Sequence, residues 1–171
     1  MQNFQEFLEN SLQQNIKKLV PLTGGASADI NRIILENNNE LIVRRSLSKE
    51  QSVMAVPKKL EAKIQRIVRS NDAPVPEIIF EFSEDEDIGE GYVMEAIPGE
   101  TIPRKILRDD KYKNVRSKLS FEIGRSLATI HQTKLDELTD LDSVTFEESL
   151  KKLYLVYSSF EQPQPVFELA F

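Results

Sequence analysis

The sequence predicts an α+β fold in which an antiparallel sheet with accompanying helices comes first and helices alone follow. Three observations lead there. Between residues 19 and 95, short apolar runs rich in Ile, Val and Leu alternate with turn residues, the pattern of strands joined by tight connections. Beyond Pro98-Gly99 the apolar spacing becomes helical. The 171 residues are 40% hydrophobic and 29% charged, which is enough apolar material for a core and unlike a disordered chain.

The elements follow in order. Phe4, Phe7, Leu8, Leu12 and Ile16 recur at helical spacing, so residues 3–18 are expected as an amphipathic helix with Asn3 as its N-cap. Leu19–Thr23 is expected as the first strand, turning at Gly24-Gly25. Asp29–Leu35 is the second, and Asn37-Asn38-Asn39 turns it into the third, Glu40–Arg45. Pro57 suits a helix start, and Leu60, Ile64, Ile67 and Val68 form one apolar stripe behind it. Ala73-Pro74-Val75-Pro76 ends that helix. Glu77–Phe82 and Gly91–Glu95 complete a five-stranded antiparallel sheet as a hairpin across an acidic stretch. Helices are expected near 102–108, 113–132 and 145–159.

The bulk chemistry narrows the function classes. Lys plus Arg number 22 against 28 Asp plus Glu, a formal charge of -6, and no basic run offers a phosphate-neutralising face, so nucleic acid is not an expected partner. With no cysteine and one histidine, neither a disulfide framework nor a thiolate or imidazole metal cluster can be assembled. Met1–Phe7 is polar and acidic rather than leader-like, and no apolar run approaches membrane-spanning length. No membrane association and a cytoplasmic location are therefore expected.

Several residues could carry chemistry, each beside a plainer role. Gly24-Gly25-Ala26-Ser27, between two strands, would let backbone N–H groups approach a phosphate, or is simply a hairpin turn. Arg44 and Arg45 fall on opposite faces of the third strand; a cation there would face a nucleotide, or cap a solvated strand end. Glu61, on the following helix, would pair with Arg44, or is an ordinary surface charge. Met94 is soft packing material wherever it lies. Together these parts follow the order found in the small lobe of protein kinases.

Leu22-Thr23-Gly24-Gly25-Ala26-Ser27 resembles the phosphate loop of the aminoglycoside phosphotransferase-like family, and Leu41-Ile42-Val43-Arg44-Arg45 resembles its third strand. Glu61, ahead of Pro74-Val75-Pro76, matches the helix glutamate. Gly91-Tyr92-Val93-Met94-Glu95-Ala96-Ile97-Pro98-Gly99-Glu100-Thr101-Ile102-Pro103 resembles the family hinge and is the most specific match. Ile123 to His131 is similar to the first long helix of the second lobe, and Gln164 to Ala170 to the helix start before the catalytic loop. The resemblance implies a protein-kinase-like N-lobe over residues 1–97 and a partial helical C-lobe over 98–171. It further implies ATP, with adenine on backbone groups of Glu95 and Ile97 beside Met94, and phosphates at Gly24, Gly25, Ser27 and Arg44, the last paired with Glu61.

The same resemblance implies a catalytic His-Gly-Asp, a following Asn and a magnesium-binding Asp. The sequence contains no His-Gly-Asp, and its one histidine, His131, precedes Gln132-Thr133 on a helix, so no catalytic residue is assigned. Asp85-Glu86-Asp87 and Asp140-Leu141-Asp142 lack the required context, so no metal ligand is assigned either, and those for Mg are expected further along a fuller chain. The expected function is the nucleotide-binding part of an ATP-dependent small-molecule phosphotransferase, inactive by itself. The alternatives are a non-catalytic nucleotide-binding or protein-interaction module, and a non-functional truncation. Acceptor and oligomeric state stay open.

Overall fold

The computed structural model describes residues 3–22, 29–47, 56–83, 87–134, 136, 138–139 and 144–168. The elements are α1 (Phe4–Leu12), β1 (Ile16–Pro21), β2 (Asp29–Leu35), β3 (Glu40–Ser46), α2 (Lys58–Ser70), β4 (Ile78–Ser83), β5 (Glu90–Glu95), α3 (Pro103–Arg108), a 3-10 turn (Asp110–Tyr112), α4 (Lys113–His131), α5 (Phe146–Ser159) and α6 (Pro165–Glu168). The five strands form one antiparallel sheet in the order β1-β2-β3-β5-β4. An α+β chain with a five-stranded sheet followed by helices is what the sequence predicts. The chain divides into two compact units, Met1–Glu137 and Leu138–Phe171.

The first helix is shorter than residues 3–18. Gln13 adopts a left-handed conformation at φ 54, and its N–H bonds the Glu9 carbonyl to close the helix. The Glu9 carboxylate then accepts the Ile16 N–H at 2.9 Å, steering the chain into β1, which begins at Ile16 rather than Leu19. Ile16 still enters the core, at 6% exposure. Helical spacing therefore identified an inward-facing residue correctly but assigned it to the wrong element, because a helix continued by one turn and a strand after a tight turn both return it to the same core.

Strand alternation sorts the sheet into two faces. On one face lie Ile33 and Leu35 of β2, Val43 of β3 and Val93 of β5, packed with Leu8, Phe4, Phe7 and Leu12 of α1. Leu8, Ile33, Val43 and Val93 are fully buried, each contributing about 1.5–3 kcal/mol by leaving water. Phe82 of β4 meets Phe7 edge-on with ring centroids 5.2 Å apart. Gly91, its partner on β5, makes that possible, since a Cβ there would fall 2.6 Å from both the Phe82 ring and the Arg44 carbonyl.

The other face carries α2, which connects β3 to β4 and lies against β3, β4 and β5. Its apolar contact is smaller, comprising Ala62, Ile78 and Tyr92 with Met94 beside them. Ala62 is fully buried, and its short side chain lets the helix approach the sheet. Pro57 offers no side-chain cap, and the Glu90 carboxylate of β5 instead accepts the Lys59 N–H at 2.8 Å, fixing the first turn of α2 to the sheet.

After β5 the helices begin as predicted to within a residue. Pro103 opens α3. Arg116 of α4 donates to the carbonyls of Ile106 and Asp109 at 3.2 and 2.9 Å, which joins α4 to the end of α3. In the second unit Thr145 and Glu148 form a capping box at the start of α5. There the Tyr157 hydroxyl accepts the Gln164 N–H and donates to Glu168, both at 2.7 Å, which ties α6 to α5.

Candidate functional site

One cluster of polar groups in the first unit gathers on the α2 face of the sheet. Arg44 of β3 and Tyr92 of β5 are cross-strand partners, so both side chains leave the sheet together toward α2. Glu61 comes down from the first turn of the helix to meet them. Arg44 Nε donates to Glu61 Oε2 at 3.0 Å, and the Tyr92 hydroxyl donates to the same oxygen at 3.2 Å. Lys58, one helical turn earlier, donates through Nζ to Oε1 at 2.7 Å. Both carboxylate oxygens are thus occupied by protein donors.

The environment sets the charges. Arg44 and Glu61 keep about a quarter of their side-chain surface exposed, whereas Lys58 keeps 6%. Burial works to raise the Glu61 carboxyl, but the hydrogen bonds from Arg44 and Lys58 outweigh it and hold the group below its ordinary value. Burial likewise opposes the charge on Arg44, and the Glu61 contact overcomes it, so the guanidinium pKa is raised. The Tyr92 phenol is pushed up to about 12, first by burial and then by the adjacent Glu61 charge. The cluster therefore holds two cations, one anion and a neutral phenol around neutral pH, with a positive charge in excess.

Along the same face, Met94 lies one alternation beyond Tyr92. Gln65 of α2 holds it, donating to the Met94 sulfur at 3.8 Å and to the Pro76 carbonyl at 2.8 Å. Glu95 ends β5. Its N–H bonds the Glu77 carbonyl at 2.9 Å and its carboxylate accepts the Glu77 N–H at 3.3 Å, so the strand end is pinned to the chain entering β4. Ile97, two residues on, is 57% exposed, and its N–H has no hydrogen-bond acceptor among the described residues.

The structure thus brings Arg44, Glu61 and Met94 to one face of the sheet, with Glu95 and Ile97 directly following. Arg45 goes the other way, pairing with Asp29 at 2.7 Å and lying over the Phe4 ring at 3.6 Å. Gly24, Gly25 and Ser27 lie outside the described residues. His131 stands exposed at the last turn of α4. Among the described residues, no three His, Asp or Glu side chains gather as a metal site. Lys58, Tyr92 and Glu90 were not singled out as site residues from the sequence. Lys58 carried a signal, since a Lys three residues before a helix Glu shares its face, and Tyr92 shares the parity of Met94.

The model of the phosphotransferase enzyme family matches residues 18–168. The chain belongs to that family. No curated protein matches it. The match begins within β1, so α1 precedes the segment that defines this phosphotransferase family. Membership makes phosphoryl transfer the general chemistry of the family to which the chain belongs. Among the described residues, no helix of this family member is long and apolar enough to cross a membrane.

Proposed function

We propose that this chain is the nucleotide-binding part of an ATP-dependent small-molecule phosphotransferase acting on a hydroxyl acceptor in the cytoplasm. The supporting observation is the half-buried Arg44, held through one nitrogen by Glu61 on the same sheet face as Met94. Such a cation is positioned for an anion and does not need to be drawn out of solvent first. Adenine presents a donor and an acceptor on one edge. In this reading the Ile97 N–H and the Glu95 carbonyl meet that edge, Met94 fills space beside the ring, and Gly24, Gly25 and Ser27 cover the phosphates. The boundary between a nucleotide-binding lobe, residues 1–97, and a helical lobe from 98 onward belongs to the same proposal.

ATP would supply the phosphoryl group, and Arg44 would offset the charge of its phosphate oxygens. Among the described residues no three His, Asp or Glu side chains gather, and no His-Gly-Asp occurs in the sequence. No acid–base step is therefore assigned, and the chain alone is proposed not to turn over. The test is calorimetric titration of the 171-residue chain with ATP, with and without Mg. Saturable binding that Arg44→Met weakens at least tenfold supports the proposal. Absence of binding, or binding indifferent to Arg44, overturns it.

A further inference from the structure

Lys58 is the least expected member of the Arg44 cluster. A lysine with 6% of its side chain exposed has given up most of its hydration, which a native fold tolerates only with a close anionic partner. That partner is Glu61 Oε1, at 2.7 Å. Glu61 is already the partner of Arg44, so one carboxylate serves two cations. A plain structural ion pair would not need the third charge.

The manner of Arg44 binding is equally informative. A guanidinium facing a carboxylate ordinarily makes two parallel hydrogen bonds, a fork on each side. Arg44 makes one, from Nε to Oε2. The second oxygen is held by Lys58, and the Tyr92 hydroxyl shares the first. With Oε1 engaged by Lys58 and Oε2 shared with Tyr92, Arg44 contributes a single donor to this carboxylate. Among the described residues, neither Nη of Arg44 donates a hydrogen bond.

We propose that Lys58 is a positioning residue for polyphosphate binding. By occupying Glu61 Oε1 it keeps Arg44 singly bound and leaves its Nη donors for phosphate oxygens, and it supplies the positive charge that remains after Glu61 is neutralised. This inference rests on the nucleotide-binding reading above and adds to it a residue outside the Arg44–Glu61 pair. Lys58 does not touch the ligand. Its removal would let Arg44 close onto Glu61 as a neutral fork, costing affinity for the phosphates and none for the nucleoside.

The test compares wild type, Lys58→Met and Lys58→Arg in titrations with ATP and with adenosine, each protein checked by circular dichroism for folding. Lys58→Met is expected to weaken ATP about tenfold, leave adenosine unchanged, and be rescued by Lys58→Arg, which restores the cation at Oε1. If wild type and Lys58→Met bind ATP equally, or if both ligands weaken together, the positioning role is overturned while the nucleotide site stands. If wild type binds no ATP, the nucleotide-binding reading falls and this inference with it. A second measurement does not depend on the variant folding. Nitrogen-15 spectra of the wild-type arginine side chains should show Arg44 Nε–H protected from solvent exchange and its Nη hydrogens exchanging freely until ATP is added. Protected Nη hydrogens in the ligand-free protein would reveal a fork already formed and overturn the proposal.

Discussion

Arg44 and Arg45 are adjacent in one strand and lead different lives, because they leave β3 on opposite faces. On the α1 face, Arg45 is a structural part: its guanidinium stacks over Phe4, pairs with Asp29 and reaches the Ile88 carbonyl, closing the rim of a core built from Leu8, Ile33, Val43 and Val93. On the α2 face, Arg44 joins a charged cluster around Glu61 with little apolar packing beneath it. One face of the sheet supplies most of the burial. The other holds partly desolvated charge, which is costly to the fold and useful to an anionic ligand. The contrast shows how a small sheet divides its work, with stability on one side and the site on the other.

The largest expected effect lies on the apolar face. Ile33→Ala should lower unfolding free energy by about 3–4 kcal/mol in urea titrations, since it opens a cavity among fully buried neighbours. Gly91→Ala tests the strand that both faces share. Its new Cβ would press on the Arg44 carbonyl and the Phe82 ring, and a loss of about 2–3 kcal/mol is expected. If either variant instead left stability intact, the apolar face would not be the main source of it.

Arg44→Met inverts the pattern. ATP affinity should fall about tenfold to a hundredfold, the range for losing a hydrogen bond to a charged group, while the urea midpoint moves little. A destabilisation comparable to that of Ile33→Ala would abolish the distinction between the faces. Phe4→Leu removes the ring under Arg45, and a loss of about 0.5–1 kcal/mol with unchanged ATP binding is expected.

The smallest effect is in the pH profile. The native Glu61 carboxyl titrates below its ordinary value of 4.5, so its contribution to stability is complete above that value and disappears as pH falls through the lower native one. Tyr92, raised to about 12 from 10, contributes below pH 10 and loses its contribution as pH climbs toward 12. Glu61→Gln should flatten the acid limb of a stability–pH curve, and Tyr92→Phe the alkaline limb. An unchanged acid limb in Glu61→Gln would mean that the carboxylate is not held by Arg44 and Lys58.

Much of the sheet was legible because strand alternation and turn residues are local signals. The turn at Asn37-Asn38-Asn39 between β2 and β3, the helix near 102–108 and the change to helices after Pro98-Gly99 all follow from nearest neighbours along the chain. The end of α1 did not follow, because the left-handed Gln13 and the Glu9 bond to Ile16 reflect a choice between two ways of burying one isoleucine. Lys58 was passed over for a related reason. As one of two lysines in a row it resembles any solvated helix face, and only the approach of α2 to the sheet removes its water.

By itself, the sequence determined the order of the elements, the opposite parity of Arg44 and Arg45 and the presence of a carboxylate on the helix after β3, because periodicity and spacing are properties of the chain alone. Tertiary structure alone decided that β5 inserts between β3 and β4 and brings Tyr92 beside Arg44, and that Lys58 is buried against Glu61. Those outcomes depend on which surfaces exclude water together, and residues 31 or 48 positions apart have no local signal that they will share a carboxylate or a strand register.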